Sequence, residues 1–396
     1  MRRRRVFYIP GYDPVSPRRY RELYRKEGTW QAEISGYALA LRPKRVKGPY
    51  GWFVSAEIEG EAVEADVEVL VWSDIVQGSM DQGVAATYLQ MVKTAWVYIA
   101  TGALFRLVWL RKGPTVAALY PIINLVVQFF LALGAGWGQV ALWRWLWPEG
   151  GWAVGAVLGV VVFVALLRFF KRIDRKILAY YLMHDYAWSA QFYGRYPPEL
   201  EARMAQFRGV IREALAGGFD EVLVVGHSSG AILGVSILSD LIREGDLGPQ
   251  ALSFLSLGQV IPMVSFLPEA RRLRADLAYL SAREELVWVD VTAPGDGCAF
   301  ALCDPVSVTG VAPEGKRWPL VVSCAFTQTF SPERWKKMRY QWFRLHFQYM
   351  CAFDRPGDYD YFKITAGPLT LGARYLGRAP SKSRIERAAS GYRSVA

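Results

Sequence analysis

The chain has 396 residues, enough for one large domain with an insertion or for two modest ones. It is 52% hydrophobic and 14% aromatic, with 15 Trp and only 21% charged residues, a balance that excludes a disordered chain and leans toward a protein partly solvated by lipid. The formal net charge of +11 is concentrated at the edges of segments: Arg2 to Arg5, Arg111 and Lys112, Lys171 to Lys176, and Lys382 to Arg393. That placement suits anionic lipid headgroups and argues against a nucleic-acid groove.

Val6 to Ile9 is an apolar strand that stops at Pro10-Gly11, where proline cannot donate to a sheet and glycine permits a sharp turn. Arg18 to Lys26 is a polar helix candidate, and Tyr50 to Trp72 alternates as two or more strands. The run opening at Val6 is too short for a signal-peptide core, so the N-terminus is expected in the cytosol.

Two long apolar stretches follow, Thr115 to Leu142 and Trp152 to Phe170, each long enough to cross about 30 Å of hydrocarbon. Between them, Trp143 to Gly151 combines tryptophans with Pro148 and Gly150, as expected of an interfacial turn. The basic residues at both outer ends predict that those ends face the cytoplasm. Gly134 and Gly138, and Gly155 and Gly159, are four residues apart, a spacing that lets helices approach within the hairpin or in a homodimer. Met91 to Leu110, apolar but carrying Lys93 and Arg106, is expected in the interface.

Ile173 to Tyr193 and Pro198 to Ala216 then read as helices, and strands are expected at Glu221 to Val225, Ser253 to Leu257, Leu286 to Val291 and Leu320 to Phe326. The expected organisation is α/β: residues 1–90 begin a mostly parallel sheet, 91–176 form a membrane insertion, 177–375 complete the sheet, and 376–396 are a basic, flexible tail.

Val222 to Val225 runs into Gly226-His227-Ser228-Ser229-Gly230 and then into a helix beginning Ala231-Ile232-Leu233. A Gly-x-Ser-x-Gly sequence between a buried strand and a helix meets the structural requirement of a nucleophile elbow, with Gly226 and Gly230 giving room to close backbone. On these residues the chain resembles the α/β-hydrolase superfamily, in particular its membrane-anchored bacterial esterase and lipase-like members, over most of its soluble part. Lys112 to Phe170 lies outside the resemblance.

The resemblance implies a fold of helices flanking a mostly parallel sheet and a Ser-His-Asp triad. It also implies a multi-pass protein of the bacterial inner membrane whose catalytic domain faces the cytoplasm. Ser228 is then the nucleophile, and the family's order of serine, acid, histidine leaves His346 as the base. His184 precedes the elbow, and His227 lies inside it, pointing away from the serine. Asp296, on the loop after the strand Leu286 to Val291, is the preferred acid. Asp304 is the alternative acid, although before Pro305 it also reads as a turn initiator, and Asp290 lies within the strand.

Backbone donors for an oxyanion are expected from Ser229 and from the Pro10-Gly11-Tyr12 turn, with Tyr12 as donor and Gly11 giving the turn its freedom. Cys298, Cys303, Cys324 and Cys351 have no zinc-ligand or disulfide spacing, and no phosphate or dinucleotide fingerprint is present, so no metal and no cofactor are expected. The expected activity is hydrolysis of an ester or thioester, with membrane lipids as surroundings and a small hydrophobic acyl compound as substrate. Acyl transfer, or a silent scaffold of the same fold, are the alternatives.

Overall fold

The computed structural model describes residues 1–44, 48–245 and 247–396. An eight-stranded sheet is built from β1 (Arg3–Ile9), β2 (Ala38–Pro43), β3 (Gly51–Ile58), β4 (Glu61–Val69), β5 (Glu221–His227), β6 (Ala251–Leu257), β7 (Leu286–Thr292) and β8 (Leu320–Ser323), in the order β2-β3-β4-β1-β5-β6-β7-β8. β1 is parallel to both neighbours, with Val6 opposite Val67 on one side and Leu223 on the other. β2, β3 and β4 form an antiparallel meander at one edge, and β5 to β8 are parallel.

The central strands are continuous apolar runs because helices cover both faces. Phe7, Val222 and Val224 enter the core on one face, while Val6, Leu223 and Val225 enter the core on the other. The short strand β2, Ala38–Pro43, was not expected from the sequence; it lies at the exposed edge, where its alternation is weak.

Two of the N-terminal arginines are inside the fold rather than at a lipid surface. Arg4 is fully buried, with Nε 2.6 Å from Glu221 Oε2 and further bonds to the carbonyls of Gly367 and Leu369. Arg5 pairs with Glu68 at 2.8 Å. Both sit on the innermost strand, where an unpaired charge would be costly, and each has a carboxylate on the adjacent strand.

Helix α1 (Arg18–Ser35) runs well beyond the expected Lys26 and stops where Gly36 takes a left-handed φ of 70°. After β4 come α2 (Ser73–Met80), α3 (Val84–Ala100) and α4 (Ala103–Leu110). The stretch expected as one interfacial segment is therefore two helices bent by 76°, broken at Gly102, whose φ is 70°. Both carry exposed apolar faces, including Leu89, Val92 and Trp96 on α3, and Trp109 on α4 is 90% exposed.

Helices α5 (Lys112–Leu146) and α6 (Trp152–Arg172) are long and apolar enough to cross a membrane; the bent pair α3–α4 would make a third crossing if it acted as one span. α5 continues through Trp143 to Leu146, so the turn is shorter than expected. The two helices meet at Gly136 and Gly159: a Cβ on Gly136 would lie 2.7 Å from the Gly159 carbonyl oxygen. Gly155 receives the Trp143 ring. A Cβ on Gly134 or Gly138 would meet nothing within 4 Å among the described residues, so the i, i+4 face of this pair is not packed within the hairpin.

The chain returns through α7 (Asp174–Ile177) to α8 (Ala179–Ala190), with the Asp174 carboxylate accepting from the Tyr180 and Tyr181 amides. α9 (Pro198–Leu215) and α10 (Gly230–Glu244) flank β5. The remaining helices that matter here are α11 (Pro262–Ser265), α12 (Arg271–Ser281), α13 (Pro305–Thr309), α14 (Phe326–Thr329), α15 (Pro332–Met338) and α16 (Trp342–His346).

Residues 376–396 are docked, contrary to the expectation of a flexible tail. Ile385 exchanges backbone hydrogen bonds with Leu302 and Asp304, and the Ala389 and Ser390 amides donate to the Val308 carbonyl. Composition could not reveal these acceptors, because Leu302 and Val308 lie some 80 residues earlier in the chain.

Candidate active site

Four loops at the carboxyl ends of β1, β5, β6 and β7 converge, the position where parallel sheets expose unspent backbone groups to ligands. β5 ends at His227, and Ser228 follows with φ at 56°, an unusual left-handed conformation for a serine. The Ser228 amide is fixed by the Leu257 carbonyl at 2.9 Å. α10 starts two residues later, so the turn projects Ser228 from the sheet at the amino end of a helix.

This turn exists only because glycines surround it. A Cβ on Gly230 would lie 2.1 Å from the Ile9 carbonyl oxygen, and one on Gly226 would lie 2.7 Å from Ala231 Cα. The loop after β1 approaches equally closely, since a Cβ on Gly11 would sit 2.9 Å from Ser228 Cβ. Tyr12 and Ser229 therefore flank Ser228, and neither backbone amide donates to a backbone acceptor among the described residues.

His346 ends α16 and faces the same cavity. Its Nδ1 lies 2.8 Å from Asp296 Oδ2, on the loop after β7. The Asp296 carboxylate also accepts from the Tyr349 hydroxyl at 2.8 Å and from the Cys298 amide at 2.8 Å. Burial by itself would raise the Asp296 pKa, but His346, the Cys298 amide and the Tyr349 hydroxyl outweigh it and hold the carboxyl below its usual range. An ionised carboxylate accepts from Nδ1–H, which leaves Nε2 of a neutral ring free to accept a proton. Ser228 Oγ makes no hydrogen bond to His346 among the described residues; the two groups share the cavity.

His227 also borders the cavity but makes no hydrogen bond to Ser228 among the described residues. Its Nε2 donates to the His346 carbonyl oxygen at 2.8 Å, and burial, with the nearby His346 charge, lowers its pKa to about 3. His184 bonds Gln90 on α3 and lies outside this cavity. Asp304 is placed elsewhere: it caps α13 through the Val306 and Ser307 amides and pairs with Lys316 at 2.6 Å. Asp290 is buried under Ser256, whose hydroxyl donates to it at 2.6 Å.

The cavity holds about 500 Å³, within the range of small-molecule sites. Ser228, Ser229, Tyr12 and His346 line it, together with Tyr181, Asp185 and Tyr186 of α8 and Ala117 and Tyr120 of α5. Asp185 has no hydrogen-bond partner among the described residues, and burial pushes its carboxyl up to about 7, the His346 charge only partly opposing the rise. Periodicity along α8 could have marked Asp185 as facing Tyr181, four residues earlier, but not the cavity they share.

Asp296, Cys298 and His346 are close enough together for one metal ion. The donors fit poorly, because the carboxylate already receives three protein hydrogen bonds and burial raises the Cys298 thiol pKa well above its ordinary value. The arrangement instead sets a serine hydroxyl, a carboxylate-held imidazole and two backbone amides free of backbone acceptors around one cavity. No protein-family model, curated protein or solved structure matches the chain.

Proposed function

We propose that this protein is a membrane-anchored serine hydrolase of the α/β-hydrolase type, cleaving an ester or thioester. The observation that carries the reading is the Asp296–His346 pair at 2.8 Å in a cavity shared with Ser228 on its left-handed turn. The apolar helices α5 and α6 support membrane anchorage, and α5 itself contributes Ala117 and Tyr120 to the cavity, which favours acyl-lipid or other hydrophobic substrates. The basic flanks of α5 and α6 support a catalytic side that faces the cytoplasm.

In the proposed reaction Ser228 Oγ attacks the acyl carbon while its proton passes to His346 Nε2. Asp296 holds the ring and balances the imidazolium charge. The Ser229 and Tyr12 amides receive the oxyanion, a stabilisation worth on the order of 3 kcal/mol per donor. The leaving group departs with the proton from His346, and water then repeats the sequence to release the acid and regenerate Ser228.

Detergent-solubilised protein treated with a fluorophosphonate should be labelled at Ser228, with Ser228→Ala and His346→Ala unlabelled. Equal labelling of Ser228→Ala, or none of the wild type, would overturn the reading.

A further inference from the structure

A second cavity, of about 160 Å³, lies beside the first between α3, α4 and the start of α5. No charged side chain lines it among the described residues. Its walls include Leu104 and Leu107 of α4, and Ala118 and Ile122 of α5. Two of the polar side chains on its walls are spent within the protein: the Tyr98 hydroxyl donates to the Met263 carbonyl at 3.0 Å, and the Thr115 hydroxyl to the Arg111 carbonyl at 3.3 Å.

Helix α5 divides its first turns between the two spaces. Ala117 and Tyr120, three residues apart, face the catalytic cavity; Ala118 and Ile122, four apart, face the apolar one. Tyr186 and Met263 belong to the walls of both, so these two side chains form the partition. Met263 is unbranched and readily adopts other rotamers, which makes a partition of this kind passable. At the outer rim, Ile99 is 50% exposed and Leu119 is 37% exposed, on the same surface of α3 and α5 that presents Trp96 and Ile123 to the surroundings. The apolar cavity thus connects the wall of the catalytic cavity with the faces that would meet lipid.

We propose that this second cavity holds the distal part of one fatty-acyl chain whose ester carbonyl lies at Ser228, the chain entering sideways from the bilayer between α3–α4 and α5. The proposal rests on the hydrolase reading of the catalytic cavity for its carbonyl position, and on the apolar lining for its ligand. A space lined by hydrocarbon accepts a methylene chain and rejects a headgroup, whose polar atoms would find no partners there. Long-chain esters would therefore use both cavities and short-chain esters the catalytic one alone.

Two variants test this from opposite walls, Ala118→Trp on α5 and Leu104→Phe on α4. Each is assayed on p-nitrophenyl butyrate and dodecanoate, and the ratio of the two within one protein cancels any loss of folded material. Filling the cavity should lower the dodecanoate-to-butyrate ratio of kcat/KM at least about tenfold, the low end of what misfit in an apolar pocket imposes. A dodecanoic acid bearing a terminal diazirine, photolysed with the solubilised protein, should label the peptide containing Ala118 in the wild type and lose that label in Ala118→Trp. An unchanged ratio in both variants, with fluorophosphonate still labelling Ser228, overturns the chain-binding proposal and leaves the hydrolase reading intact. Absence of fluorophosphonate labelling in the wild type fails the hydrolase reading instead, and the diazirine experiment then decides chain binding alone: equal labelling in wild type and Ala118→Trp overturns it.

Discussion

The imidazole of His227 donates to the backbone carbonyl oxygen of His346 at 2.8 Å, so the residue just before the elbow serine holds the segment that carries the second imidazole. The bond requires His227 to be neutral and protonated on Nε2, in keeping with a pKa lowered to about 3 by burial. His227→Ala removes the donor without touching the reacting atoms. Fluorophosphonate labelling should slow by up to about 10²-fold, the scale of a misplacement near 1 Å, and His227→Gln, which can donate again, should recover part of the rate. Labelling at the wild-type rate in His227→Ala would show that His346 is positioned without it.

The same lowered pKa makes a stability prediction. Unfolded His227 binds a proton below about pH 6.5, whereas the folded residue resists doing so until about pH 3, so the unfolded state holds more protons between those values. The His227 contribution to stability should fall as pH drops through that window, with a slope approaching one proton. Denaturation midpoints of His227→Gln measured between pH 3 and 7 should differ from those of the wild type by this slope, so parallel pH dependences in the two proteins count against the assignment.

Asp296 accepts from His346, Tyr349 and the Cys298 amide, and an asparagine in its place could accept only part of this set. Asp296→Asn should lower ester turnover on the order of 10³–10⁴-fold while the protein remains folded, because the ring loses its counter-charge and its tautomer. Tyr349→Phe removes one donor to the carboxylate and should cost far less. Asp304→Asn, at a helix cap paired with Lys316, should reduce stability while leaving turnover per folded molecule unchanged. Turnover lost equally in the Asp296 and Asp304 variants would remove the distinction.

The elbow was legible from sequence because its signals are contiguous: four apolar residues of β5, two glycines around the serine, and a helix at once after them. Asp296 could be preferred over Asp304 from sequence but not separated from it by contact, since both follow β7 and only the fold brings His346 to the first while committing the second to α13. Tyr349 and Asp185 escaped notice for the same reason, as nothing local distinguishes an aromatic residue beside a carboxylate from one in a core. The edge charge was misleading at Arg4 and Arg5, whose partners Glu221 and Glu68 are 217 and 63 residues away. The apolar hairpin was readable by length, but not which glycines join its helices: i, i+4 spacing marks a face without saying what that face meets.

Gly136 and Gly138 make that point testable. A side chain at Gly136 would meet the Gly159 carbonyl at 2.7 Å, whereas Gly138 has open space. Gly136→Val should push α5 from α6 and lower the thermal midpoint in detergent by several degrees, and Gly138→Val should leave it near wild type. A change of oligomeric state in Gly138→Val alone would assign the exposed Gly134–Gly138 face to contact between copies of the chain. Equal midpoints for both variants would contradict the packing of α5 on α6 through Gly136.

Asp185 brings a carboxyl into the Ser228 cavity among groups that stay protonated: burial raises the pKa of Tyr12, Tyr181, Tyr186 and the Cys298 thiol. Its own pKa, pushed up to about 7, means that the folded protein holds a proton which the unfolded chain releases near pH 4. Through Asp185 the folded state therefore binds more protons between about pH 4 and 7, and this residue's contribution to stability falls as pH rises through that window, opposing the His227 contribution where the two overlap. Asp185→Asn should remove the fall, stabilising the protein at pH 8 relative to wild type by up to about 4 kcal/mol, and by less to the extent that cavity water solvates the carboxylate. Activity should follow the same ionisation, because a carboxylate in this cavity opposes an oxyanion forming at Tyr12 and Ser229. On a neutral ester, wild-type kcat/KM should bend downward near pH 7, and Asp185→Asn should lack that bend. Superimposable profiles for the two proteins between about pH 5 and 9 would mean that Asp185 does not govern this limb.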